Sequence, residues 1–238
     1  MRIGAGPYAD PEPVLGILGG DVLPVSEEGF QDALLSGDID AYVARYDRIP
    51  QGLDRGISLA AVLRRGPSGF SSDIPLGELP GGSRIRICSE LAGRILSGTR
   101  PDLVPADDGH SASITPSYVA GRYPLDEGGF IGAPAQGCVA VFIRKDDEAA
   151  GAVRSLNHMP SRTEAEAERG LMNLLGAVPG APFGARAEVV EDSIRIRAVS
   201  YCYGMDGRRC DEYVPIDYVM DEILGIAEFL GGKRDEIV

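Results

Sequence analysis

Two short stretches hold the side chains best suited to chemistry: Arg45-Tyr46-Asp47-Arg48, and Arg84-Ile85-Arg86 with Ser89 just beyond it. A carboxylate held in a fixed position can accept and return a proton, which makes Asp47 the candidate catalytic residue. Arginine stays charged and can grip a carboxylate or phosphate with two donors. In a chain of formal net charge −13, Arg45, Arg48, Arg84 and Arg86 would form a local anion site if the fold gathers them. The opposing reading is that they pair with neighbours such as Asp47 and Glu90. Ser89 is open in the same way, as a helix N-cap ahead of Glu90 or as a ligand contact.

The acidic balance argues against nucleic acid or an acidic membrane surface as partner, because phosphate binding needs concentrated Lys and Arg. Four cysteines, Cys88, Cys138, Cys202 and Cys210, are scattered without a Cys-x-x-Cys pair, and the only histidines are His110 and His158. No metal site follows from that spacing, and each cysteine reads as a small reduced residue. Both histidines stand in polar, loop-like surroundings that suit a solvated ring. No apolar run nears the roughly 20 residues of a membrane span. The opening Met1-Arg2-Ile3-Gly4 reads as a strand start rather than a signal peptide, so a cytoplasmic location is expected.

Several elements are legible from pattern. Apolar runs predict buried strands at 56–65 and 138–143, and Ile194, Ile196 and Ala198 alternate with Arg195 and Arg197 as a half-buried strand whose arginines form a solvated face. A helix is expected from Ser26, with Glu27 and Glu28 in its first turn, Phe30, Leu34 and Leu35 on one face and Gly37 at its end. A second begins at a Thr163 cap with Glu166 as capping-box partner, turns Leu171, Leu174 and Leu175 inward and stops at Gly176. A third is capped by Asp217, with Val219, Met220, Ile223, Ala227 and Leu230 inward and Gly231-Gly232 at its end. Asp206-Gly207 predicts a hairpin turn, and 67–80 reads as a linker. Gly4-Ala5-Gly6-Pro7-Tyr8-Ala9 looks superficially like a nucleotide loop, but Asp10-Pro11-Glu12-Pro13 is expected to break the helix such a motif needs.

The stretch Arg162 to Ala187, a helix entering a Gly- and Pro-rich loop, resembles the cofactor-attachment segment of porphobilinogen deaminase (hydroxymethylbilane synthase). There Thr-Ala-Glu-Arg-Ala leads to Gly-Gly-Gly-Cys-Gln-Val-Pro-Ile-Gly-Ala. Glu166-Ala167-Glu168-Arg169-Gly170 and Pro182-Phe183-Gly184-Ala185 match the two ends, and Pro179 stands at the cysteine that carries the family's covalent dipyrromethane. Ala33 to Pro50 lies without a gap on the family's Ala-Leu-Leu-x-x-x-x-Asp-x-Ala-Val-His-Ser-x-Lys-Asp-x-Pro, with Ala44 at the histidine, Arg45 at the serine, Asp47 at the lysine and Arg48 at the catalytic aspartate. In an extended segment the one-residue offset of Asp47 would turn it to the opposite face. Leu79-Pro80-Gly81-Gly82-Ser83 and Arg100-Pro101-Asp102-Leu103 bracket a region where the family's paired arginines are Leu91 and Ala92 and only Ser89 is kept. Gly6 replaces a substrate-binding arginine. Gly121-Arg122-Tyr123 is similar to the family's Gly-Glu-Tyr, and Pro134 to Arg144 to its return crossing.

The resemblance implies an α/β fold: two small domains like those of periplasmic binding proteins, at 1–70 with 134–160 and at 71–133, plus a C-terminal α+β domain at 161–238. Both small domains are expected to be trimmed, the first by loss of a strand and a Gly-Lys-Gly loop between Gly20 and Glu28. It also implies that Arg45, Arg48, Arg84 and Arg86 border an interdomain cleft. The expected function is that of a divergent member without deaminase activity, carrying no cofactor and holding a small anionic ligand or acting through a protein partner. The alternatives are an authentic synthase of tetrapyrrole biosynthesis with an altered site, and a purely structural protein.

Overall fold

The computed structural model describes residues 1–118, 123–125, 129–145, 147–148, 150–204 and 207–233. The chain divides into two compact units, Met1–Gly66 with Gly137–Glu166, and Pro67–Gln136 with Ala167–Val238.

The first unit opens with β1 (Arg2–Ala5), α1 (Glu12–Leu18) and β2 (Asp21–Pro24), and β1 and β2 pair in parallel from Arg2↔Asp21 to Ala5↔Pro24. This corrects two expectations. A βαβ unit does follow the glycine-rich opening, and a strand does lie between Gly20 and Glu28. The prolines at 11 and 13 do not break α1 because they fall at its N-cap and first turn, where a proline's missing N–H would have no helical partner anyway. Asp10 Oδ1 adds a bond from Glu12 N at 3.0 Å.

α2 (Phe30–Ser36) starts later than predicted. Ser26 Oγ accepts from Gly29 N at 3.1 Å and closes a turn that holds Glu27 and Glu28 outside the helix. Gly37 ends it at φ +79, as predicted, but Leu35 is 45% exposed, leaving Phe30 and Leu34 to face inward. β3 (Ala41–Arg45) is buried along its whole length, which its apolar run requires of a strand covered on both faces. It ends in a single 3-10 turn, Tyr46–Arg48, and β4 (Ile57–Val62) follows.

In the second unit the predicted linker instead contains β5 (Phe70–Ser72), all three residues buried. Pro and Gly punctuate its flanks and leave its three-residue pairing stretch clear. β6 (Arg84–Ile87), α3 (Glu90–Thr99), β7 (Val104–Pro105), β8 (Ala112–Pro116) and β9 (Tyr123–Pro124) complete a mixed sheet in the order β7-β6-β8-β5-β9. Its core joins Ile85, Ala112 and Ile114 to Leu91, Ala92, Ile95 and Leu96 of α3. Residues 121 and 122 lie outside the described residues.

The chain returns to the first unit as β10 (Val139–Arg144), inserted antiparallel between β3 and β4 to give the order β2-β1-β3-β10-β4. α4 (Ala150–Arg154) packs with α1 and β4 on one face, around Val14, Val43, Val141 and Val153. On the other face Phe30 of α2 stacks on Tyr42, ring centroids 4.5 Å apart, and tilts against Phe142 at 5.5 Å.

α5 (Met159–Leu174) begins four residues before the predicted Thr163 cap. His158 is the cap instead: its Nδ1 accepts from Ser161 N at 3.3 Å and lies 2.9 Å from Ser161 Oγ, so this ring is half-buried and engaged rather than solvated. The helix stops at Gly176 (φ +67), with Leu171 and Leu175 buried and Leu174 43% exposed.

β11 (Phe183–Val190), β12 (Ser193–Ser200) and β13 (Arg208–Pro215) form an antiparallel sheet in that order, and α6 (Val219–Leu230) ends the described chain. The predicted inward side chains Ile194, Ile196 and Ala198 are buried in a core with Leu171, Phe183, Ile223 and Leu230. Asp217 makes no capping bond; it lies in a 3-10 turn leading into α6, and Met220 is 63% exposed. Position 206 of the predicted hairpin turn lies outside the described residues.

Candidate functional site

β3 delivers the first candidate group. Arg45 is its last residue, and the 3-10 turn folds Asp47 back beneath it, so Arg45 Nε donates to Asp47 Oδ1 at 3.2 Å while Nη2 donates to Oδ2. Both side chains are buried, at 7% and 6% exposure. Because this segment is a turn rather than an extended strand, the opposite-face argument for Asp47 does not apply. Its position is set by the Arg45 fork instead. Burial raises the Asp47 carboxyl above its ordinary range, against the opposing pull of Arg45 and Arg48. Such a carboxyl could in principle donate a proton, but its two oxygens are already taken by a guanidinium.

Arg48 is exposed next to this pair. Glu27, from the turn before α2, lies within electrostatic reach of Arg48 and Arg45; its carboxyl is raised by burial, which those arginines partly offset. Two cations therefore face two carboxylates. Across β1, a Cβ added at Gly6 would sit 2.7 Å from the Tyr42 hydroxyl, so this phenol fills the space a larger residue would use. Burial also raises Tyr42 well above its ordinary value, which keeps it neutral.

In the second unit Arg84 and Arg86 leave β6 on its exposed side. Arg84 donates to the Asp108 carbonyl oxygen from Nε at 3.2 Å and Nη2 at 2.9 Å. Arg86 is exposed and makes no hydrogen bond or ion pair among the described residues. Glu90, offered as its neighbour, pairs with Arg94 one helical turn along at 3.2 Å. Ser89 caps α3, its Oγ accepting from Ala92 N at 3.2 Å. The structure thus brings Arg45, Asp47 and Arg48 together in one unit and Arg84, Arg86 and Ser89 in the other.

The loop after α5 is a turn. Ala181 N donates to the Val178 carbonyl at 3.0 Å across Pro179-Gly180, with Gly180 at φ +91. Proline followed by a positive-φ glycine is the pair a type II turn favours.

The probable porphobilinogen deaminase of Methanosarcina mazei is 30% identical over 235 residues, covering 85% of this chain and 74% of its own. This chain belongs to the porphobilinogen deaminase family. The porphobilinogen deaminase of Thermus thermophilus is 31% identical over 202 residues, 71% of this chain and 65% of that one. No family model matches. Among solved structures, full-length BenM is matched over 75% of this chain and 69% of its own at 14% identity and a TM-score of 0.38, too slight a likeness to add to what the sheets show.

The residues present do not fit the deaminase family's covalent dipyrromethane. Pro179, at the attachment position, has no thiol and is built into a turn. Of the cysteines that follow, Cys202, between β12 and β13, is raised by burial, and Cys210 of β13 is pushed up to about 12 by burial, so neither offers a thiolate near neutral pH. Leu91 and Ala92, at the paired arginines, are 3% and 0% exposed and belong to the core of α3. Among the described residues no cluster of His, Cys, Asp and Glu could hold a metal ion, and no helix is long and apolar enough to cross a membrane.

Sequence reasoning missed three residues. Glu27 and Tyr42 complete the electrostatics and the filling of the site in the first unit. Glu27 was assigned to a helix, and Tyr42 sits in an apolar run that signals only a strand. Glu168 was matched within Glu166-Ala167-Glu168-Arg169 but given no role, yet it is 1% exposed and accepts from Ala135 N at 2.5 Å and Ala187 N at 2.7 Å.

Proposed function

We propose that this member of the porphobilinogen deaminase family neither carries the dipyrromethane nor deaminates porphobilinogen, and that Arg48 in the first unit and Arg86 in the second each offer a surface cation to a small carboxylate or phosphate. The fold expected with this reading is a pair of small domains like those of periplasmic binding proteins, followed by an α+β region. The observation that carries the proposal is Pro179 in its closed turn, where attachment needs a thiolate. The buried Arg45–Asp47 pair supports it, because the carboxylate nearest the family's catalytic position is committed to a guanidinium. Arg48, Arg84 and Arg86 are the exposed arginines of the four, and Arg84 is already held by the Asp108 carbonyl; a cation at the surface can take an anion without first breaking a buried pair.

The intact mass of purified protein should equal the mass of its amino-acid sequence, and the protein should leave porphobilinogen unconsumed. Extra mass equal to a dipyrromethane, or formation of a bilane, would make the chain an authentic hydroxymethylbilane synthase instead. For the binding half, succinate or phosphate should raise the melting temperature at low salt, with the rise reduced in Arg48→Ala and Arg86→Ala. A rise unchanged in both variants removes these two arginines from the reading.

A further inference from the structure

One end of the C-terminal sheet holds a cavity that the proposed function does not use. Ser200 at the end of β12 pairs with Arg208 at the start of β13, and with Leu230 at the end of α6 they border a cavity of about 410 Å³ within the second unit. That volume falls within the range of small-molecule sites. Four of its lining residues, Gly204, Gly207, Gly231 and Gly232, have no side chain, so much of its wall is backbone. A Cβ at Gly204 would meet nothing within 4 Å, so the space beside it is open rather than filled by a neighbour.

Tyr203, also in the lining, is 61% exposed, yet its hydroxyl donates to the Leu175 carbonyl oxygen, which pins the ring at its tip. A large ring that faces water and is still held in one position is a ready stacking surface. Leu230 is buried and adds an apolar wall. The end of α6 supplies acceptors. Gly231 N, Gly232 N and Lys233 N donate to the carbonyls of Ala227, Phe229 and Glu228 at 2.8, 3.0 and 2.8 Å, which leaves the carbonyls of Leu230, Gly231 and Gly232 without a main-chain donor among the described residues. A helix C-terminus is also the negative end of its dipole, and the last turn of α6 holds no basic residue to offset it. Arg208 reaches one of these carbonyls, donating from Nη1 to Phe229 at 3.0 Å, and its guanidinium lies over the Phe229 ring, 5.4 Å from the centroid, which holds it as part of the wall.

We infer that this cavity binds a small planar ring carrying an N–H donor group, a carboxamide or a ring amine. The ring lies on Tyr203 and against Leu230, and its N–H donors take the carbonyls at the end of α6, so recognition runs through donors rather than through net charge. Ser200 is buried in the lining, and its hydroxyl accepts from Cys202 N at a long 3.4 Å, so it can serve a second polar atom of the ligand. A carboxylate offers acceptors only and would set its charge against carbonyl oxygens. The ligand class therefore differs from the anions proposed for Arg48 and Arg86.

Benzamide and benzoate are the probes, because they share a ring and nearly a shape while only benzamide carries N–H donors. Titration of the full chain, followed by NMR at the backbone amides, locates the contact. Benzamide should move the amide signals of Tyr203, Gly204 and Gly231 and bind there about tenfold or more tightly than benzoate, the worth of one hydrogen bond to an otherwise unmet acceptor. Tyr203→Ala should weaken benzamide by about threefold or more through loss of the stacking wall. The preference of the unaltered chain for benzamide decides the matter if that variant does not fold. Arg48→Ala combined with Arg86→Ala should leave these responses as they are, so failure of the anion reading and failure of this site are told apart. No movement at the three amides, an equal response to benzoate, a benzamide affinity unaltered in Tyr203→Ala, or a response lost with Arg48 and Arg86 overturns the site.

Discussion

Removing either partner of the Arg45–Asp47 pair should cost the first unit about 3 to 5 kcal/mol, far more than a surface ion pair. The two side chains are 7% and 6% exposed, so truncating one leaves the other charged, buried and unable to recover water. Asp47→Ala strands the Arg45 guanidinium under the 3-10 turn; Arg45→Ala strands a carboxylate that burial already penalises. Replacing both, as Arg45→Met with Asp47→Leu, should recover most of the loss, because a buried pair exchanged for apolar side chains of similar volume is often neutral or stabilising. Urea unfolding of the four proteins gives the cycle. Single-variant losses below about 1 kcal/mol would mean that water reaches the pair, and Asp47 would then be open to substrate as well.

That pair also marks what the sequence could and could not disclose. The residue types at 45 to 48 were legible, and so was their adjacency, but the fork depends on a 3-10 turn where the pattern suggested extended chain. Strands with continuous apolar runs, β4 and β10, were legible because burial on both faces leaves no polar alternation. Helix starts were not. Ser26 closes a turn, Thr163 lies inside α5, and His158 caps it, because several polar residues compete for each cap and tertiary position chooses among them. β5 was hidden by its length, since three residues bounded by Gly69 and Asp73 carry no period. On β12 the alternation correctly gave the inward face. It could not reveal that the outward arginines are partly covered, because that depends on β11, β13 and residue 131, all distant in sequence.

The second large effect is expected at Glu168. It sits on the buried side of α5, and its two carboxylate oxygens accept the backbone N–H groups of Ala135 and Ala187, one on the segment returning from the second unit's mixed sheet and one on β11. The segment it holds is demanding. Ala135 is at φ +60, a left-handed conformation that a side chain with a Cβ adopts at a cost, and Gln136 reaches over Gly132 to accept from Gly69 N at 2.7 Å. A Cβ at Gly132 would come within 2.0 Å of that amide oxygen, so Gly132 and Gln136 allow one arrangement. Glu168→Ala removes the acceptor of two buried N–H groups, each costing about 1 to 3 kcal/mol when left unpaired, for an expected loss of about 2 to 5 kcal/mol. Glu168→Gln should fall between, because an amide keeps one acceptor oxygen and turns an N–H group toward a donor. Hydrogen exchange separates this from general weakening: in Glu168→Gln the amides of Ala135 and Ala187 should lose protection before those of β12. Equal loss across the sheet, or full stability in Glu168→Ala, would show that the carboxylate is not what holds the returning segment to α5 and β11.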